Sequence, residues 1–125
     1  MTIQECYQAL GGNYDDVVKR LLNFSLVKRF ITKFLQDDSF EKLSASIRDG
    51  RREEAFRAAH TLKGVCQNLG FGKLLASTEK LTELLRPETD VVPEGAAALL
   101  EEVTRDYTET TTAIRTYLEP PEPPE

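Results

Sequence analysis

The stretch RREEAFRAAHTLKGVCQNLG, residues 51–70, carries helical periodicity along its whole length. Advancing by roughly 100° per residue gathers Ala55, Ala59, Leu62, Cys66 and Leu69 into one narrow apolar stripe. A stripe of that width is the buried face of a helix packed among other helices. Gly70 closes it, because glycine enters the left-handed conformation cheaply. His60, the single histidine of the 125-residue chain, points roughly 140° away from the centre of the stripe. Lys63, Gln67 and Gly64 fall on the same side, at roughly 80°, 120° and 180°. The imidazole is therefore expected in solvent, on the flank of a bundle.

The flanking sequence supplies the rest of that bundle. Thr2 and Glu5 have capping-box spacing ahead of Ile3, Cys6 and Leu10. Gly11 and Gly12 end this first helix, and Asn13 caps a second one marked by Val17, Val18, Leu21 and Leu22. After a break near Asn23–Ser25, Leu26, Val27, Phe30, Ile31, Phe34 and Leu35 repeat at helical spacing. A break at 37–39 precedes a short helix through Phe40, Leu43 and Ile47, which stops at Asp49-Gly50. Leu74, Leu75, Thr78, Leu81 and Leu85 mark the helix after the histidine, ending before Pro87, and Ala97 to Leu118 form a last long one. The threonines at 110–112 are expected to weaken it locally. No segment alternates as a strand does. The expected fold is all-α: an up-and-down four-helix bundle of longer helices, with additional short helices at the N-terminus. Residues 1–118 make the bundle, and 119–125 a Pro/Glu-rich tail that cannot continue a helix.

Composition narrows the function. With 40% hydrophobic and 30% charged residues the chain reads as one soluble globular domain. A net charge of −5 argues against nucleic acid as a partner, since phosphate backbones are bound through clustered Lys and Arg. No apolar run is long enough to span a bilayer and the N-terminus lacks a signal-peptide layout, so a cytoplasmic, free-standing protein is expected. Cys6 and Cys66 lack CxxC spacing and are expected as free, buried thiols.

The chemistry is concentrated around His60. Glycine inside a helix costs about 1 kcal/mol relative to alanine, and Gly64 stands on the outer side, where no tight helix crossing explains it. It reads as clearance for a docking partner. Lys63, one turn from the ring, can reach an anion on the imidazole, and Gln67 can donate to the same anion. A neutral imidazole is a competent nucleophile, and attack on a phosphoryl group gives phosphohistidine. The chain has no P-loop, no glycine-rich nucleotide loop and no carboxylate cluster for Mg²⁺, so ATP chemistry must come from elsewhere. It is expected to be a carrier and not an enzyme.

These residues resemble a known family. AHTLKGVCQNLG matches the signature of histidine-containing phosphotransfer (HPt) domains, His-x-x-Lys-Gly with a further glycine ten positions after the histidine: His60, Lys63, Gly64 and Gly70. The resemblance covers roughly residues 1–118. It implies that His60 accepts a phosphoryl group from a receiver-domain aspartate and passes it to another. By the same resemblance Lys63 stabilises the phosphate and Gly64 admits the receiver. No cofactor is bound by this chain, and Mg²⁺ belongs to the partner receiver. The implied partners are receiver domains of response regulators and hybrid histidine kinases, with no nucleic acid and no membrane. Two departures stand out. Val65 occupies a position that is often small or polar, and the following helix lacks the family's glutamine, leaving Thr78 or Glu79 to fill that space. The alternative is a helical adaptor that binds receivers or other signalling domains without phosphotransfer. A di-iron bundle is disfavoured, because residue 57 is Arg where an ExxH pair needs Glu.

Overall fold

The computed structural model describes residues 1–119, and among these the chain is all-helical. Its seven helices are α1 (Ile3–Ala9), α2 (Tyr14–Leu21), α3 (Phe24–Phe34), α4 (Ser39–Arg48), α5 (Arg52–Leu69), α6 (Gly72–Leu85) and α7 (Ala96–Leu118). Side-chain caps set the starts of the first three. The Thr2 hydroxyl accepts from the Glu5 amide and the Glu5 carboxylate from the Thr2 amide, both at 3.0 Å. Asn13 and Asn23 each accept from the amide three residues on, at 3.3 and 2.9 Å. None of these helices is long and apolar enough to cross a membrane.

Four helices form the expected up-and-down bundle. Helix α5 packs against α4 on one flank and α6 on the other, α6 packs against α7, and α7 returns to α4. Short connections at 49–51 and 70–71 force antiparallel neighbours. The stripe read from the sequence is the buried face: Ala55, Ala59, Leu62 and Cys66 are wholly enclosed and Leu69 nearly so. Length does not distinguish the bundle helices, however. Helix α4 has 10 residues and α3, outside the bundle, has 11. Position earns α4 its place, through Leu43 and Ser46 buried against α5 and α7.

Helices α1 to α3 cover the end of the bundle where α5 turns into α6. Tyr7 donates its hydroxyl to the Leu69 carbonyl at 2.8 Å, and the Lys73 amide donates to the Leu10 carbonyl at 3.0 Å. Gly70 turns the chain at φ +74°. Phe34 packs edge-on to Phe71 at 4.9 Å and to Tyr107 at 5.9 Å, and Phe40 stacks on Tyr107 at 4.1 Å. Helix α7 runs unbroken through the threonines at 110–112, of which Thr110 and Thr111 are buried. Both cysteines are free and buried. Of the tail at 119–125, only Glu119 lies within the described residues.

The opposite end is fastened by a residue the periodicity did not mark. Arg52, nearly buried, donates from Nη1 to the Leu85 carbonyl at 2.7 Å and from Nε to the Thr89 carbonyl at 2.8 Å. It ties the first turn of α5 to the last carbonyl of α6 and to the loop that follows.

Candidate functional site

All four residues singled out from the sequence lie on α5. His60, Gly64 and Gln67 are exposed and Lys63 is half-buried, so the imidazole stands outside the core as its helical position requires. A methyl group placed on Gly64 would meet nothing within 4 Å. The helix is bare there by one side chain, and no neighbouring element among the described residues fills the gap.

The ring has an aromatic neighbour on its own helix. Phe56, one turn before His60, meets it edge-on with centroids 5.9 Å apart and planes at 79°. The Arg86 guanidinium lies over the Phe56 ring, 5.2 Å from its centroid. Arg86 is itself fixed by Glu83, donating from Nε to Oε2 at 3.0 Å and from Nη2 to Oε1 at 2.9 Å. These hydrogen bonds, with the positive charges of Arg86 and Lys63, hold the Glu83 carboxyl below the usual carboxylate range. Lys63 forms no ion pair with Glu83, whose carboxylate is taken up by Arg86. A phosphoryl group on His60 would offer both cations an anion.

This arrangement corrects the expectation for α6. Thr78 does not face the histidine: it is wholly enclosed in the core, and its hydroxyl has no hydrogen-bond partner among the described residues. Of the two residues named for that space, Glu79 is half-buried, and one helical turn further along the exposed Glu83 is held by Arg86. Phe56, Glu83 and Arg86 escaped sequence reasoning. Phe56 sits on the shoulder of the apolar stripe and reads as core, while the other two form an ordinary i, i+3 surface pair.

On the other side of His60, α5 borders α3 and α4. Val65, Asn68 and Leu69 share a cleft of about 190 Å³ with Phe30, Lys33 and Phe34 of α3. The end of α5 is secured by Arg20 of α2, which donates to the Gln67 carbonyl at 3.1 Å and to that of Asn68 at 3.0 and 3.2 Å. A guanidinium at this point complements the negative end of the helix dipole. No three His, Cys, Asp or Glu side chains among the described residues come together as a metal site.

Comparison with curated proteins and with solved structures gives no match. Comparison with protein families does: residues 29–109, from within α3 to well into α7, match the Hpt domain. Helical architecture, an exposed histidine on the second bundle helix and a match over most of its length agree, and the chain belongs to the Hpt domain family, whose members transfer phosphoryl groups in phosphorelays.

Proposed function

We propose that His60 is the phosphoacceptor, taking a phosphoryl group from the aspartyl phosphate of one receiver domain and yielding it to the aspartate of another. The observation that carries this is the exposed imidazole of His60, with the half-buried residue Lys63 and the side-chain-free Gly64 one helical turn further along α5. An imidazole nitrogen lone pair attacks phosphorus in line, an N–P bond forms, and the bond from phosphorus to the aspartate oxygen breaks. The carboxylate leaves with that electron pair. Such transfer depends on alignment and on neutralising the equatorial oxygens. Lys63 supplies one positive charge here, and Gln67 is in register one turn further along α5 to donate a hydrogen bond. The Mg²⁺ that completes the charge balance belongs to the acidic pocket of the receiver. The chain acts as a carrier, with no catalytic chemistry beyond supplying nucleophile, cation and clearance.

Incubation with a phosphorylated receiver and Mg²⁺ tests this directly. The expected product is protein-bound phosphate that is labile in acid and stable in base, absent from the His60→Gln variant. Undiminished labelling of that variant would remove His60 from the role. Tight receiver binding with no transfer in either direction would favour the adaptor.

A further inference from the structure

At the end of α6, Glu83 and Arg86 hold each other through two hydrogen bonds, Nε to Oε2 and Nη2 to Oε1, in the forked geometry a guanidinium makes with a carboxylate. Both side chains are exposed. An exposed pair of this kind is held weakly and gives way to a stronger anion. What sets this one apart is where the guanidinium lies. It covers the Phe56 ring at 5.2 Å from the centroid, and that ring is 5.9 Å from the imidazole of His60. The guanidinium carbon is therefore no further from the centre of the imidazole than those two distances laid end to end. Its third nitrogen, Nη1, donates to nothing among the described residues. The cation of α6 thus rests on the strip of α5 that carries the nucleophile, with a donor to spare, and it is occupied by a carboxylate of its own helix.

We propose that Glu83 is a resident stand-in for the phosphoryl group, holding Arg86 while His60 is unmodified and yielding it to the phosphoryl oxygens once the N–P bond has formed. The inference rests on the phosphocarrier role proposed above and deepens it by naming two residues that set how firmly His60 keeps its load. A phosphoryl group carries more negative charge than a carboxylate and one more acceptor oxygen, so the exchange runs towards it. Loading then breaks one ion pair to make another, and the carboxylate left behind stands near a new anion. Both effects weaken the hold of His60 on the phosphoryl group below what Arg86 alone would give. A carrier needs that balance, since it must release what it accepts.

The test needs no receiver. With phosphoramidate as donor, the P–N bond of the donor breaks as the bond to His60 forms, and the donor nitrogen departs as ammonia. Phosphorus NMR at fixed phosphoramidate and ammonium then reads the equilibrium ratio of loaded to unloaded His60. In Glu83→Gln this ratio is expected to rise by about three- to fivefold, and in Arg86→Gln to fall by about as much. Exchange makes the two changes non-additive. In the Arg86→Gln background Glu83→Gln should raise the ratio by less than about twofold, because only the removal of a nearby charge remains. Arg86→Lys should recover part of the loss, keeping the charge without the fork. Urea midpoints verify that each variant is folded, and Arg86→Met replaces Arg86→Gln if it is not. Equal effects of Glu83→Gln with and without Arg86 would overturn the exchange, since charge acting through space would then suffice. So would an unchanged ratio in Arg86→Gln. Failure of wild-type His60 to take phosphate from phosphoramidate, or undiminished labelling of His60→Gln, would instead remove the carrier role itself.

Discussion

Gly64 is the residue at which packing and function pull apart. In a helix interior, alanine is favoured over glycine by about 1 kcal/mol, and a methyl group here meets nothing. Gly64→Ala is therefore expected to stabilise the isolated protein by about 1 kcal/mol, read as a higher urea midpoint at unchanged slope. Gly64→Gln, which fills the gap, should slow transfer from a receiver by about 10²-fold while leaving phosphoramidate labelling of His60 intact. Loss of both labels, or of neither, would show that the bare turn is not there to admit a partner. The outward position of His60 was legible in the sequence because one helix fixes it. Phe56, Glu83 and Arg86 were not, because their convergence depends on the register of α6 against α5, which no single periodicity encodes. The cysteines carry a second consequence at this scale. Burial pushes the Cys6 thiol from its ordinary 9.0 up to about 11, and pushes Cys66 up as well. The folded state binds these protons more tightly than the unfolded chain, so the contribution is complete below pH 9 and falls away between about 9 and 11. Urea midpoints should decline across that window, and Cys6→Ala should decline less steeply. Identical slopes would mean the thiol does not titrate with unfolding.

Among elements, the seam between α5 and α6 is the one that must hold its register, since Phe56 and the Glu83–Arg86 pair meet across it. One end is closed by the two-residue turn at Gly70-Phe71, the other by Arg52. Replacing Arg52 by Met keeps its apolar stem but strips the Leu85 and Thr89 carbonyls of their donor. Charged hydrogen bonds of this kind contribute about 1.5–3 kcal/mol each, without strict additivity, so Arg52→Met should cost about 2–4 kcal/mol. It should also raise amide exchange in the last turn of α6. Exchange confined to α4 would contradict a role for Arg52 on the seam. Helix starts were readable because caps are local: Thr2 with Glu5, and Asn13, announce themselves within four residues. Arg52 was silent because its acceptors lie 33 and 37 residues away and are backbone carbonyls. The pairing of α4 with α5 was equally hidden from a reading by length.

The molecule as a whole is assembled where α1 and α2, which precede the stretch of the family match, meet the α5–α6 turn. These helices are structural, with Ile3, Cys6, Tyr7, Leu10 and Val17 all in the core. Their close approach is recorded in the glycines. A methyl group on Gly72 would collide with the backbone carbonyl of Gly11, and one on Gly12 with that of Gly70. Neither obstacle is a flexible side-chain tip that can swing aside. Gly72 lies in the first turn of α6 with no left-handed backbone to explain it, so contact between segments 60 residues apart is its reason. Two glycines in helices thus predict opposite outcomes for the same substitution. Gly64→Ala gains the helical preference of alanine, whereas Gly72→Ala must push α1 and α2 off the bundle end, at about 1–3 kcal/mol or more for an overpacked site. The hydrogen bond from the Lys73 amide to Leu10 should open with it, and Tyr7 should lose Leu69. Urea unfolding gives the sign, and accelerated exchange at the Lys73 amide gives the place. Equal effects of the two substitutions would mean that the N-terminal helices rest loosely on the bundle.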